Sequence, residues 1–529
     1  MKISVIKIGI FCDLSPLSGL GHIKRMINLT NSIEKTGNTC IFFFEKKNLN
    51  FIKKYTKNLN VFFVDNIDNF IFLSDLLSEL KVSKIIIDSY NIDNKLENHL
   101  VKKNFFVVAI DDHYKKHAAN IVISNRSEKP KITLIKRNQI WLTGPKYALI
   151  GINNKKLIGI NNKKNTSRKK VLLHAGGLSL YKNLKVLIVA LLTFLRNKNI
   201  SLTILCTNTL SKKYVINLCH KNRLKLKLKF INYSNKFSST FSKYNIIFGP
   251  AGTTTFEIIA AGSMPFSFPV IDDGRDSCAS WSRLGHLMHL KAEEIKDKKI
   301  LFDSFDLIFK RRNKFLNILK KNSKFIDGKG PERVAKVILG TTRSKSLYKN
   351  NFKIKNIHSY SSEICSFSDL RNFMASRNYK SSRSASFNYN HIITWPEHLN
   401  WWLDKNILKY KVTENSNTVA YYWMRKKKDS FGPFVQSGWF LERNVSKNKN
   451  LNYKLKICSK TLKFQVSEVK KIYKKIPWIV MMRKKNKFVK FLNKYVGFKD
   501  PSKLSMARVE NNYSNIKFSK NFDVLEMKL

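Results

Sequence analysis

At 529 residues the chain exceeds what a single hydrophobic core organises, and its length points to about three domains. A hydrophobic fraction of 43% with 12% aromatic residues excludes a disordered or low-complexity protein. The formal net charge is +62, but the lysines are spread over the whole chain beside abundant asparagine, and no nucleic-acid motif accompanies them. The excess therefore reads as compositional bias. It leaves acidic ligands such as phosphates or nucleotides as the partner class and gives no ground for nucleic acid.

The first elements lie in the opening 150 residues. "KISVIKIGIF", "TCIFFF", "VFFV", "KIIIDS", "FFVVAIDD" and "NIVIS" are short β-branched or aromatic runs separated by amphipathic segments. That alternation predicts a parallel sheet with helical crossovers. After "GINNKKLIGINNKKNTSRKK" a second series begins, "KKVLLHAGG", "SLTILC", "LKLKF" and "YNIIFGPAG". The expected architecture is α/β: a Rossmann-like half over residues 1–150, a second over 165–340, and a cleft between them. The apolar stretch Val186–Leu195 is about half the length of a membrane span and reads as a buried helix face, so no membrane insertion is expected. The start "MKISVIKIGIFCD" is too short for a signal peptide. Seven scattered cysteines without a CxxC pair predict reduced thiols in a cytoplasmic protein, with neither a zinc site nor disulfides.

A polar, basic linker is expected over 341–356, followed by a separate α+β domain over 357–529. That region carries the aromatic block "WPEHLNWWLDK", the hairpin-like "TVAYYWMRKKKDSFGPFVQSGWFLE" and the helix–turn "NKFVKFLNKYVGFKD". Trp395, Trp401 and Trp402 fit either a stacking surface for a sugar or a helix face in the core.

Three glycine-rich turns fall where a strand of such a sheet hands over to a helix. In "SGLGHIKR", Gly19 and Gly21 allow a tight turn, and His22 either acts as a general base in the cleft or bonds locally at the helix start. In "GPAGTTTFEIIAAG", Gly252, Thr253 and Thr254 offer backbone amides suited to a diphosphate. Glu257, one turn later, either accepts hydrogen bonds from ribose hydroxyls or complements the helix dipole. In "HAGG", Gly176 and Gly177 let a backbone approach phosphate. Asp88 and Tyr90 in "IIIDSYN" would face the same cleft, and the group Asp111, Asp112 and His113 reads as turn and cap residues, with no metal assigned.

Taken in order, GxGHxxR (Gly19 to Arg25), IIDxY, the DD pair, GxxYALI (here "GPKYALI", Gly144–Ile150), the mid-chain GG and the late glutamate resemble the UDP-sugar hydrolases of pseudaminic acid biosynthesis. These belong with the GT-B glycosyltransferases, and the likeness covers roughly residues 1–330. It implies release of UDP and free sugar from a UDP-2,4-diacetamido-2,4,6-trideoxy sugar, with no cofactor or metal. It further implies His22 and Tyr90 as catalytic residues, and Gly21, Arg25, Gly176, Gly177, Gly252, Thr253, Thr254 and Glu257 as the substrate and UDP site. Two departures, Ser89 in place of a histidine and Leu178–Ser179 in place of a polar residue and an aspartate, bear on which sugar is accepted.

Residues 357–529 resemble GNAT-type N-acetyltransferases that act on amino sugars. The likeness rests on "ITWPEHLNWW" and on Asn486 spaced from Gly497–Phe498 as in their N-x(10)-GF signature, and it implies acetyl-CoA as cofactor with Asn486 and Tyr495 as candidate residues. The glycine-rich pyrophosphate loop of that family has no counterpart near "ERNVSKNKNLNYKL", and Asn493 stands where its tyrosine is usual. The combined expectation is an enzyme that acetylates a UDP-amino sugar and then removes UDP. The other classes are a glycosyltransferase that delivers the sugar to an acceptor and a nucleotide-sugar-binding protein without catalysis.

Overall fold

The structure, a computed structural model, describes residues 5–14, 20–47, 49–89, 94–126, 132–136, 138–151, 170–175, 184–206, 209–232, 237–269, 278–341, 360–385, 390–512 and 522–529. The chain forms two compact units, Met1–Asn351 and Phe352–Leu529.

The first unit contains two parallel sheets. The first sheet is built from β1 (Lys7–Cys12), β2 (Thr39–Glu45), β3 (Val61–Val64), β4 (Val82–Asp88), β5 (Phe106–Ile110), β6 (Ile121–Ser124) and β7 (Ile140–Thr143), in the order β3-β2-β1-β4-β5-β6-β7. Its crossovers include α1 (Gly21–Glu34), α2 (Leu49–Thr56), α3 (Phe70–Glu79) and α4 (Asn94–Lys102). The second sheet has β8 (Val171–Leu173), β9 (Leu202–Cys206), β10 (Leu228–Asn232), β11 (Ile246–Pro250) and β12 (Met264–Phe268), in the order β10-β9-β8-β11-β12. It is accompanied by α5 (Lys185–Asn197), α6 (Thr209–Lys221), α7 (Thr253–Ala260), α8 (Cys278–Arg283) and α9 (Lys298–Asn322).

These are doubly wound sheets, and their strands read as continuous apolar runs because helices cover both faces. The stretch expected to be a buried helix face is α5, where Leu187, Ile188, Leu191, Leu192 and Leu195 are fully buried. Among the described residues no helix is long and apolar enough to cross a membrane. The short edge strands β7 and β12 were not among the expected runs. "IWLT" is too brief to stand out, and "MPFSF" carries a proline that argues against a strand; both pair at a sheet edge, where proline is tolerated.

One helix departs from the chain order of the two halves. In α10 (Gly330–Gly340), Val334, Ala335 and Ile338 join Ile8 and Ile10 of β1 and Met26, Leu29 and Ile33 of α1 in a single core. The last helix of the 165–340 segment therefore serves the first sheet. "GPKYALI" is its seat. Arg333 Nη1 donates to the Lys146 carbonyl at 3.0 Å, Leu149 lies in the shared core, and Gly330 sits so close that a Cβ there would lie 2.0 Å from the Ala148 oxygen. Buried Lys84 of β4 closes the other end, donating to the carbonyls of Ile338 and Thr341.

The second unit is a six-stranded sheet in the order β13 (Tyr360–Ile364), β14 (Ile407–Glu414), β15 (Asn417–Asp429), β16 (Gly432–Leu441), β17 (Trp478–Arg483), β18 (Phe522–Met527). All neighbours are antiparallel except β16 and β17, which run parallel and pair only at Val435–Trp478 and Gln436–Ile479. Its helices are α11 (Leu370–Asn378), α12 (Lys380–Ser384), α13 (Trp395–Trp402), α14 (Arg443–Lys447), α15 (Leu451–Ile472), α16 (Lys487–Tyr495) and α17 (Lys503–Asn512). On one face of the sheet Tyr410, Val412, Tyr422, Met424 and Val435 pack with Ile457 and Val469 of α15.

Candidate active site

In an open parallel sheet the strand order reverses at one point, and the loops leaving the strands there diverge to form a crevice. In the first sheet that point lies between β1 and β4; in the second it lies between β8 and β11. Of the sequence-selected residues, Gly21, His22, Arg25 and Asp88 lie at the first place and Gly252, Thr253, Thr254 and Glu257 at the second. Cys12 at the end of β1 pairs with Asp88 at the end of β4, and the Asp13 amide donates to the Asp88 carbonyl at 3.1 Å. Ser89, the position at which a histidine was the expected residue, donates its hydroxyl to Asp13 Oδ1 at 2.5 Å, tying the two strand ends together.

Asp88 is fully buried and organises the first turn of α1. His22 Nδ1 lies 2.8 Å from Asp88 Oδ1, and Arg25 holds both carboxylate oxygens, with Nε 2.6 Å from Oδ2. Arg25 Nη1 also reaches Asp112 Oδ2 at 2.8 Å. Burial disfavours the Asp88 charge, but Arg25 and His22 outweigh it and hold the carboxyl below its usual range. An ionised Asp88 only accepts, so Nδ1 of His22 carries a proton, and in the neutral imidazole the lone pair is then on Nε2. That is the tautomer a general base needs. Gly21 leads into this turn with open space around it, since a Cβ there would meet nothing within 4 Å.

Asp111 and Asp112 have separate duties. Asp111 accepts from the amides of His113 and Lys115 at 2.6 and 2.9 Å, as a turn residue. Asp112 is the outer partner of Arg25. Behind them, Glu97 of α4 grips the returning loop, accepting from the amides of Ala118 and Ala119, while His117 lies between Glu97 at 2.8 Å and Asp111 at 3.4 Å. Among the described residues no His, Cys, Asp and Glu group has the form of a metal site. None of the seven cysteines is in a disulfide.

At the second switch point β11 ends and α7 begins. The amides of Thr253 and Thr254 belong to the first helical turn and have no intrahelical acceptor, and the space before Gly252 is open. His174, at the end of β8, occupies the room that Gly249 leaves: a Cβ on Gly249 would fall 1.9 Å from His174 Nε2. Burial, with Lys24 nearby, pushes the His174 imidazole down to about 4, so it is neutral at pH 7. Glu257 is buried, and Lys24 of α1 reaches it from the other half, with Nζ 2.8 Å from each carboxylate oxygen. Helix α1 thus serves both halves, His22 and Arg25 inward and Lys24 across.

Tyr90, Gly176 and Gly177 lie outside the described residues, as do Leu178 and Ser179. In the second unit Asn486 is the N-cap of α16, accepting from the Val489 amide at 3.2 Å, and Tyr495 ends the same helix, exposed and stacked on Phe491. A helix of nine residues separates its ends by roughly 13 Å. The fold therefore does not bring these two together. Asn493 is buried and bonds to the Val489 carbonyl. Trp395 and Trp402 are core residues, whereas Trp401 is half-buried. Trp401 meets Trp423 edge to face at 5.8 Å, with Arg377 4.7 Å above its ring and Arg425 5.8 Å from that of Trp423. Among the described residues neither arginine has a carboxylate partner.

Sequence reading missed the roles of Lys24 and His174, and it took Asp112 for a turn or cap residue where the structure makes it a partner of Arg25. Lys24 and Asp112 sit inside quoted motifs, but their partners are 233 and 87 residues away. No local signal gives such pairings.

No protein-family model matches the chain. It is 27% identical over 183 residues to the uncharacterized protein MJ1062 of Methanocaldococcus jannaschii, a match that spans 32% of this chain and 37% of that protein. Among solved structures, the chain is similar to MurG of Acinetobacter baumannii, at 12% identity and a TM-score of 0.49, over 64% of this chain and all of the other. It is also similar to UDP-GlcNAc 2-epimerase of Neisseria meningitidis bound to UDP-GlcNAc, at 11% identity and a TM-score of 0.46, again over 64% and 100%.

Proposed function

We propose that the first unit hydrolyses a UDP-linked diacetamido-trideoxy sugar and that the second unit acetylates its UDP-amino sugar precursor from acetyl-CoA. The observation that carries the first part is His22 Nδ1 2.8 Å from buried Asp88, at a strand-order reversal and on a helix that also touches α7. His22 Nε2 takes a proton from water, the water oxygen bonds to the anomeric carbon, and the bond from that carbon to the β-phosphate oxygen breaks. UDP departs as an anion whose charge the amides of Thr253 and Thr254 stabilise. Glu257 accepts from the ribose hydroxyls. Tyr90, Gly176 and Gly177 complete the site in this reading.

For the second unit, two features support the reading. The β16 amides beyond Gln436 have no partner on β17, the kind of donors that hold acetyl-CoA in a GNAT enzyme. The Arg377–Trp401–Trp423–Arg425 surface offers positive charge and flat apolar rings to a nucleotide sugar. Attack by the sugar amine on the thioester carbonyl then gives the amide and free CoA.

The test is a panel of UDP-sugars with wild type and His22→Ala. UDP and free sugar should appear without an acceptor, and His22→Ala should lose UDP release while still binding UDP. Wild-type turnover in that variant sinks the assignment, and UDP release only on addition of an acceptor makes the chain a transferase. CoA release from acetyl-CoA and a UDP-amino sugar tests the second unit.

A further inference from the structure

Glu257 is a buried carboxylate with an unusual partner. Its counter-ion comes neither from α7 nor from the second sheet but from α1, where Lys24 is half-exposed and places Nζ 2.8 Å from both oxygens. The other charged or titratable groups about this contact are few. His174, at the end of β8, lies near Lys24 and is neutral. His22 and Arg25, on α1 itself, are engaged with Asp88. Behind α7, Phe256 packs on Trp281, which meets His286 and His289; the buried His286 is held neutral by burial. None of these replaces Lys24 as a cation beside Glu257.

A carboxylate in this position has two possible forms, and only one suits a ribose. Ionised, it accepts from two hydroxyls; protonated, it becomes a donor with reduced acceptor capacity. Burial raises the Glu257 carboxyl above its usual range, with Lys24 opposing, so removing the ammonium leaves the burial effect unopposed. We propose that Lys24 is a positioning residue of the nucleotide site: reaching across the two halves, it keeps Glu257 an acceptor for the nucleotide's vicinal hydroxyls. The proposal rests on the reading of Glu257 as the ribose-binding residue. It also gives a reason for α1 to carry a cation outward from the turn that holds His22.

The test is calorimetric titration of the full chain with UDP from pH 6 to 9, on wild type, Lys24→Met, Lys24→Gln, Lys24→Arg and Glu257→Gln. Lys24→Met should bind UDP about tenfold more weakly than wild type at pH 6.5 and recover as the pH rises, because deprotonation restores the acceptor. Lys24→Gln, which keeps a donor but no charge, should behave in the same way, and Lys24→Arg should follow wild type. Glu257→Gln should be weak at every pH. A loss in Lys24→Met and Lys24→Gln that does not vary with pH, or no loss at all, overturns the proposal and leaves the ribose reading intact if Glu257→Gln is weak. Wild-type affinity in Glu257→Gln overturns the ribose reading itself.

Discussion

Asp88 does more at the candidate site than its position in "IIIDSYN" suggests. It fixes the His22 tautomer and neutralises Arg25, and it is fully buried where water cannot take over either task. In Asp88→Asn the amide nitrogen can donate to Nδ1, which moves the imidazole proton to Nε2 and removes the base. We expect kcat for UDP release to fall roughly 100-fold or more, with UDP affinity little changed. Steady-state kinetics beside UDP titration check this, and an unchanged kcat would remove Asp88 from the mechanism. The sequence showed that Asp88 ends a strand and that His22 follows a turn. It did not show that the two meet, because 66 residues separate them and only the parallel pairing of β1 with β4 sets them side by side.

At the scale of elements, the loop from β5 to β6 holds Asp112 against Arg25, and its own anchor is ionic. Burial disfavours a charged His117, but the carboxylates of Asp111 and Glu97 on either side of it prevail and push it up to about 9 from an ordinary 6.5. Because the folded value lies above the unfolded one, this group's stabilisation is complete below pH 6.5 and is lost as the pH rises through about 9. The upper bound is about 3 kcal/mol. The thermal unfolding midpoint of wild type should fall over that window, and His117→Gln should show a flatter dependence on pH. A parallel slope in the variant would mean that another group is responsible. Element type was legible along most of the chain, since period and β-branching mark strands and crossovers locally. The roles of "IDDHYKKHAAN" were legible only as turn chemistry. Its aspartates take different partners because Asp111 turns back on its own loop while Asp112 reaches α1.

For the first unit as a whole, α10 ties the second half of the chain to the first sheet, because it follows the second sheet in the chain and packs into the core of the first. Gly330 is its closest approach. Gly330→Ala places a methyl 2.0 Å from the Ala148 carbonyl oxygen and must push the helix off its seat, at a cost of about 1–3 kcal/mol. Gly340→Ala, at the other end of the same helix, meets nothing within 4 Å and serves as the control. Urea midpoints should fall for the first substitution and hold for the second; equal midpoints would show that α10 adapts without cost. "GPKYALI" stands out in the sequence among motifs of a ligand site, and in the structure it is the surface on which α10 rests.

The sequence by itself determined the alternation of strands and helices, the two doubly wound series, the break before a differently built domain, and the turns at which chemistry is placed. These are local matters of period, β-branching and glycine. The tertiary structure alone decided which charges meet: His22 and Arg25 on Asp88, Lys24 on Glu257, and Lys84 under the end of α10. It also separated Asn486 from Tyr495 by the length of a helix. Buried charges need partners wherever the fold delivers them, and strand order, not distance along the chain, settles which partners those are.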